Sequence, residues 1–269
     1  LTDALFDLNR RVIAITGGLG QLGRQFARAL CERGARIAIL DHAEGTALPS
    51  EIAPFGAQAM ILQTDVRKRA SLEQALAVIE AHWEAPWGLI NNAALDSPPD
   101  APLGENGPFE TYPETSWDAV MEVNVKGVMQ CCQVFGGRMA QLGRGSIVNV
   151  ASIYGMVSPN QDIYAYRRES GEDFYKPVAY SASKSALYNL TRYLATYWGE
   201  AGVRVNTVSF AGVWNNQDPR FMAEYAKRMP IRRMAQPGEY NGTIVYLMSD
   251  ASSYMTGSNM VVDGGWTAW

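Results

Sequence analysis

Apolar residues along this chain fall into short blocks separated by longer stretches with helical spacing. Arg11–Thr16 (RVIAIT), Arg36–Leu40 (RIAIL), Met60–Gln63, Gly88–Asn91, Ser146–Val150, Val203–Ser209 and Asn259–Val262 are short runs with little alternation. That is the pattern of strands covered on both faces of a parallel sheet. Between them, Gln21–Arg33 puts Leu22, Phe26, Ala29 and Leu30 on one helical face and stops at Gly34. Ala70–Trp83 repeats the pattern through Leu72, Leu76 and Ile79, and two longer helices are predicted from Ser116 to about Leu142 and over Ala179–Trp198. Asp96–Pro113 is a loop rich in Pro and Gly. Strands joined by helix-length crossovers predict an α/β protein with a doubly wound parallel sheet. No linker, repeat or low-complexity segment divides residues 1–269, so one domain is expected.

The composition agrees: 47% hydrophobic and 19% charged residues suit a buried core. A net charge of -4, with the arginine pairs at 10–11, 167–168 and 232–233 scattered, gives no basis for a nucleic-acid partner or an anionic membrane. Cys31, Cys131 and Cys132 are odd in number and imply no disulfide framework, so a reducing cytoplasm is expected. His42 and His82 lack partners at metal-ligand spacing, and no metal is expected. No apolar run reaches the ~20 residues of a membrane span. The start, Leu1–Asp7, lacks the basic and apolar regions of a signal peptide.

The chemistry begins at Thr16-Gly-Gly-Leu-Gly-Gln-Leu-Gly23, between the first strand and the first helix. Gly18, Gly20 and Gly23 fit the dinucleotide fingerprint of a Rossmann-like sheet: the turn is tight, backbone N–H groups can approach a pyrophosphate, and helix can pack close to strand. Gly17, Leu19, Gln21 and Leu22 complete this candidate cofactor turn. Asp41 ends the second strand near the offset at which an acid bonds the adenine-ribose hydroxyls. A carboxylate there repels a 2′-phosphate, which favours NAD(H) over NADP(H); Arg24 and His42 lie nearby, and Asp41 also reads as a helix cap or loop residue.

Tyr180 and Lys184 stand four apart near the start of a helix and share a face. A neighbouring ammonium favours the phenolate and is expected to draw the tyrosine down from its usual value of about 10. Such a pair also arises by chance on helices. Ser152 ends the fifth strand, at the sheet edge where ligands of such folds bind.

With these residues in place, the chain resembles the short-chain dehydrogenase/reductase family, from about Arg11 to Gly265. The shared motifs are the glycine turn, Asp65, Asn91-Asn-Ala-Ala94, Asn124 within Glu-Val-Asn-Val-Lys-Gly, Ser152, Tyr180 with Lys184, Thr256-Gly and Val262-Asp-Gly-Gly265. The resemblance implies that Tyr180 exchanges a proton with the substrate oxygen while hydride moves to or from the nicotinamide. Ser152 would orient that oxygen, Lys184 would hold the nicotinamide ribose and tune Tyr180, and Asn124 would support a water. Asn124 has a second reading, a bond to a neighbouring carbonyl. Asp65 and Val66 would meet the adenine, Asn91, Asn92 and Ala93 would line the cleft, and Val213 and Asn215 would lie by the nicotinamide.

There are departures from the family pattern. Gln21 replaces the middle glycine of the single-domain branch, Ala94 replaces a glycine, and Phe210-Ala211 replaces Pro-Gly. The gap from Ser152 to Tyr180 is long, and the extra segment, about Asn160–Val178, holds Tyr164, Tyr166, Arg167, Arg168, Glu169, Tyr175 and Lys176. Linking two catalytic elements, it is expected to overlie the site, where its hydroxyls and paired arginines suit a polyhydroxylated or anionic substrate; a surface excursion or subunit contact is the alternative. Phe221–Met229 is the expected lid helix. Several stretches are also similar to oxidoreductases linked to flagellin modification and nonulosonic acids.

The expected activity is hydride transfer between NAD(H) and a secondary alcohol/ketone on a sugar-derived or other polar small molecule. The alternatives are an epimerase or dehydratase that recycles its NAD, and a non-catalytic NAD-binding protein. By resemblance, the two long helices would form a homotetramer or homodimer.

Overall fold

The computed structural model describes residues 4–45, 47–97 and 105–269. Residues 1–3 of the expected leader-free start and residues 98–104 of the expected loop lie outside the described residues. Each of the seven apolar runs becomes a strand, extended or trimmed by at most a residue: β1 Val12–Thr16, β2 Arg36–Asp41, β3 Ala59–Gln63, β4 Gly88–Asn91, β5 Gly145–Val150, β6 Val203–Phe210 and β7 Asn259–Val262. They form one sheet in the order β3-β2-β1-β4-β5-β6-β7. All six pairings are parallel.

The reason these runs show little alternation is visible in the packing. Ile13 and Ile15 of β1 face a layer containing Phe26 and Leu30 of α1 (Gln21–Cys31). Val12 and Ala14 face Leu72 and Ile79 of α2 (Arg69–His82) and Phe135 of α3 (residues 114–141). Helix α4 (Val178–Trp198) joins the second layer through Leu187 and Leu194, and α6 (Asn241–Met248) joins the first through Ile244 and Leu247. Helix α5 (Pro219–Lys227) starts two residues before the expected lid, because Asp218 caps it and Pro219 takes the first helical position.

Two features place the site. Strand order reverses beside β1, between β2 and β4, so the crevice opens where the glycine turn leaves the sheet. The register sets Thr16 beside Asn91 and Asn91 beside Asn149, so the carboxyl ends of β1, β4 and β5 finish in one row. Helix α3 is not uniform: it widens to π spacing over Glu122–Gly127 and again over Cys132–Gly136. Such bulges cost regular hydrogen bonding and are found mostly at functional positions; the first contains Asn124.

Beyond the sheet edge, Ile153, Tyr154, Ile163, Tyr164, Phe174 and Tyr225 belong to a third, smaller core. The inserted segment supplies three of these side chains. It folds as a 3-10 turn, Gln161–Tyr164, and a short helix, Ala165–Glu169. Among the described residues no helix is long and apolar enough to cross a membrane. The three cysteines are buried free thiols, and burial pushes Cys31 and Cys132 up to about 12, so they stay protonated.

Candidate active site

The glycine turn closes on itself so tightly that its residues divide into two kinds. Gly17 has φ +61°, and a Cβ there would lie 2.7 Å from the Ala93 Cα. A Cβ on Gly18 would lie 2.8 Å from Ile39 Cγ2, and one on Gly23 only 2.4 Å from the Gly17 carbonyl oxygen. Gly18 and Gly23 are therefore packing positions, while Gly17, Leu19, Gly20, Gln21 and Leu22 line a cleft of about 640 Å³. Gly20 is the N-cap of α1 and supplies no side-chain cap, so the first N–H groups of the helix are left for a ligand. Asn92 pins the turn by donating to the carbonyls of Thr16 and Gly17 at 3.1 and 2.9 Å.

At the far end the cleft is lined by Asp41, Asp65 and Val66. The Asp41 carboxylate is built into the wall: it accepts from the backbone N–H of Leu19 at 3.0 Å and of Ala43 at 3.1 Å. A carboxylate has about four acceptor positions, so two remain. Asp65 instead turns its carboxylate to Arg67, which donates to it from Nε and Nη2, each at 2.9 Å, and holds it below the usual carboxylate range. Ala93 and Ala94 continue the lining toward the reaction centre. A neutral cradle at a helix start, with the Asp41 carboxylate on the wall of the same cleft, fits a dinucleotide.

Two expected cofactor residues sit elsewhere. Asn91 does not line the cleft: its side chain points into the layer between sheet and helices and donates to Asn149 Oδ1 at 2.8 Å. Neighbouring strand residues face opposite ways, so Asn91 and Asn92 cannot share a wall. Asn215 is exposed and outside the cavities; its backbone N–H donates to Gln217 Oε1 at 2.7 Å. Gln217, which no motif marked, takes the place on the wall, alongside Val213. Gln21, the residue in the place of a glycine, reaches across and donates to the Trp214 carbonyl at 2.9 Å, strapping the turn to the loop after β6.

Leu22, Asn92 and Ala94 also line a second cavity of about 390 Å³, so the two spaces adjoin. Ser152, Tyr180 and Lys184 meet there. Ser152 is held by the Tyr154 N–H, which donates to its hydroxyl at 3.2 Å. Lys184 is 4% exposed and donates to the Val150 carbonyl at 2.7 Å, with its Nζ 5.7 Å from the Tyr180 ring centroid. Asn124 is set behind this group. Its amide accepts from the Leu95 N–H at 2.7 Å, donates to the Leu95 carbonyl at 2.8 Å, and donates to Ser183 Oγ at 2.9 Å. Ser183 in turn donates to the Tyr180 carbonyl at 2.7 Å, so Asn124 ties α3 and the loop after β4 to the helix carrying Tyr180.

The expected direction for the tyrosine is reversed. Burial pushes the Tyr180 phenol up, the Asp96 charge adds to this, and the Ser152 hydroxyl opposes it. Burial pulls Lys184 down to about 8, against Asp96. Both shifts have one cause: a dry site disfavours each charged form. For Lys184 the unfolded chain keeps its proton up to the ordinary 10.5, so between pH 8 and that value the unfolded state binds more protons and stability rises with pH. Lys184→Met should therefore lose ground against the wild type in melting temperature as pH goes from 7 to 10; a constant difference would contradict the buried ammonium.

The inserted segment does reach the site, though not with its arginines. Arg167 pairs with Glu172 and lies 3.6 Å over the Phe174 ring, and Arg168 donates to the carbonyls of Phe174 and Gln161. Both are spent holding the segment together. Tyr164 and Lys176 are the residues that enter the cavity, with Phe221 and Tyr225 from α5. Lys176 pairs with Asp96, and its Nζ is 5.3 Å from the Tyr180 ring centroid. The buried Tyr154 lines the same cavity, its hydroxyl beside that of Tyr164.

Comparison with known proteins agrees with this geometry. The profile of the family described as short chain dehydrogenase matches residues 11–167, and that described as Enoyl-(Acyl carrier protein) reductase matches residues 166–267. The chain is 30% identical to an NAD-dependent glycerol dehydrogenase of Listeria innocua, over 98% of this chain and 97% of that protein. It is 32% identical to a D-threitol dehydrogenase of Mycolicibacterium smegmatis, over 97% and 95%. A gluconate 5-dehydrogenase from Burkholderia cenocepacia, solved with NADP and tartrate, superposes with a TM-score of 0.85 at 27% identity, covering 99% of this chain and 98% of that one. The crevice at the strand-order reversal, the glycine turn and the match along nearly the whole chain have one reading: this protein belongs to the short-chain dehydrogenase/reductase family and is an NAD(P)-dependent oxidoreductase.

Proposed function

We propose that the protein transfers a hydride reversibly between NAD(H) and a secondary alcohol/ketone of a small polyol or sugar-derived substrate. The observation that carries this is the meeting of Ser152, Tyr180 and Lys184 in a cavity that adjoins the candidate cofactor cleft. A bound nicotinamide supplies or takes the hydride; the side chains handle the proton and the geometry. In the oxidation direction the substrate hydroxyl gives its proton to Tyr180 Oη, and in reduction Tyr180 returns it. Ser152 holds the oxygen against Tyr180. Lys184 brings a cation to the phenolate, and Asn124 is a positioning residue that acts through Ser183. The Tyr154 and Tyr164 hydroxyls and the Lys176–Asp96 pair give the cavity wall polar and charged groups suited to a polar substrate.

The same reading takes NAD(H) rather than NADP(H), on the strength of Asp41. Its carboxylate is 7% exposed and already fixed by two backbone donors, so it cannot swing away from a 2′-phosphate. Quenching of Trp/Tyr fluorescence should show NADH binding at least tenfold tighter than NADPH, and Asp41→Ser should shrink that ratio. Preference for NADPH in the wild type would overturn the ribose assignment and leave the enzyme assignment standing.

Homotetramer or homodimer formation belongs to this reading as well. It is supported by the stacked rings of Tyr193 and Tyr197, which are 63% and 67% exposed on the outer face of α4. Buried free thiols support a cytoplasmic setting. The Gln21–Trp214 strap favours one second reading, a retained and recycled cofactor. Nucleotide co-purifying with the protein, and no net change in nicotinamide absorbance during turnover, would select it.

A further inference from the structure

The extra segment between Ser152 and Tyr180 fixes one charged residue beside the reaction centre. Arg168 closes the segment on itself, donating to the carbonyls of Phe174 at 2.9 Å and Gln161 at 3.0 Å. The Gln161 side chain in turn accepts from the Lys176 N–H at 2.9 Å. Pro177 follows as the N-cap of α4, so the Lys176 backbone is held on both sides. Its Nζ lies 5.3 Å from the Tyr180 ring centroid, no farther than that of Lys184 at 5.7 Å. Its partner Asp96 comes from the loop after β4, where Asn124 grips both backbone groups of the preceding Leu95.

Both members of the pair line the cavity that holds Ser152 and Tyr180. The lysine side chain is 13% exposed and the aspartate 57%, so the pair stands at the rim, open to an entering molecule. The chemistry of the pair selects what it meets. One hydroxyl accepts from the ammonium and donates to the carboxylate at once, so it joins the pair without stranding either charge. An anion would meet Asp96, and a cation would meet Lys176, as a like charge at contact range. An alkyl group strips water from both charges and returns no hydrogen bond. Because the pair borders the ring whose oxygen meets the reacting hydroxyl, the hydroxyl it reads is the one on the next carbon.

We propose that Lys176 and Asp96 are specificity-determining residues that recognise a hydroxyl on the carbon beside the reacting one, so the substrate is a vicinal diol in oxidation and an α-hydroxy ketone in reduction. The assignment rests on the hydride-transfer reading above. The proton still passes between Tyr180 Oη and the reacting oxygen; the pair holds only the neighbouring hydroxyl.

The test compares racemic propylene glycol with racemic sec-butanol, which carry a hydroxyl and a methyl group of similar size beside the same secondary carbinol. At saturating NAD, kcat/KM should be at least tenfold higher for the diol, the scale of hydrogen bonds to charged groups. The double variant Lys176→Met/Asp96→Leu exchanges the pair for apolar residues at constant net charge and should bring that ratio below threefold. NADH titration reports that the variant is folded. A role confined to tuning Tyr180 would move both alcohols alike and leave the ratio where it was. A ratio below threefold in the wild type, which needs no variant, or one that persists in the double variant, overturns the assignment and leaves hydride transfer standing. Oxidation of longer polyols but not of propylene glycol overturns it too. If no secondary alcohol is oxidised at all, the reading beneath falls, and the assignment with it.

Discussion

Replacing Tyr180 by Phe should lower kcat by about 10²–10⁴-fold, the usual worth of a positioned acid–base, while NADH affinity stays within about twofold. The substitution keeps the ring and its packing beside Lys184 and Lys176, and removes only the oxygen that meets the substrate. Neighbouring phenols cannot stand in. Tyr154 and Tyr164 are themselves pushed up by burial, and Tyr225 Oη accepts from the Gly212 N–H at 2.7 Å. Ser152 has a hydroxyl in the right cavity but far too weak an acidity to replace a phenol. The loss should appear in kcat rather than KM, because the cavity wall formed by Tyr154, Tyr164 and the Lys176–Asp96 pair is unchanged. Stopped assays at constant NAD saturation read both. Turnover within tenfold of the wild type would sink the acid–base assignment and leave the cofactor cleft untouched.

The upward shift of Tyr180 sharpens that expectation. In this dry cavity the phenolate and the ammonium are both disfavoured, so the pair rests as neutral phenol and a lysine poised near 8. The rate of alcohol oxidation, in which Tyr180 is to accept a proton, should accordingly keep climbing with pH into the alkaline range instead of levelling off near neutrality.

Much of this was open to reading in the chain itself, for reasons that particular residues make clear. Val12–Thr16 and Gly145–Val150 are apolar because helices cover them on both sides, and that pattern survives without any knowledge of neighbours. Tyr180 and Lys184 share a face by helix geometry alone. The misplacements came where a side chain's direction depends on contacts distant in sequence. Asn91 and Asn92 read as one motif, yet strand alternation sends Asn91 to Asn149 and Asn92 to the glycine turn. Arg167 and Arg168 read as anion binders, yet Glu172 and two carbonyls claim them. Gln217 carried no signal, since a lone polar residue in a loop has no period and no fixed partner. The tyrosine direction failed for another reason: a pairwise charge argument leaves out desolvation, which here is the larger effect.

The glycine turn separates positions that look alike in the sequence, and Gly23→Ala should be the most damaging single change there. Gly23 lies inside α1, and its added Cβ would sit 2.4 Å from the Gly17 carbonyl oxygen, 2.6 Å from the Gly18 Cα and 2.9 Å from the Gly18 carbonyl carbon. All three contacts are backbone, so no side chain can rotate aside. Either α1 lifts from the sheet or the turn itself shifts. Lifting the helix disturbs Phe26 and Leu30, which are fully buried against Ile13 and Ile15. Overpacking of this kind costs about 1–3 kcal/mol, and a protein of this size loses roughly 2–4 °C of melting temperature per kcal/mol. Shifting the turn moves Gly17 and Leu19, which form the cradle, so NADH affinity should fall by more than tenfold. Gly20→Ala is the control. Its Cβ meets nothing closer than the Gly17 carbonyl oxygen at 3.3 Å, so a few tenths of an ångström relieve it. Thermal melts and NADH titrations of the two variants should therefore diverge, with Gly23→Ala much the worse in both. Equal losses would mean that the close approach of α1 to the turn, rather than the open space above Gly20, has been misjudged as the constraint that keeps glycine in this loop.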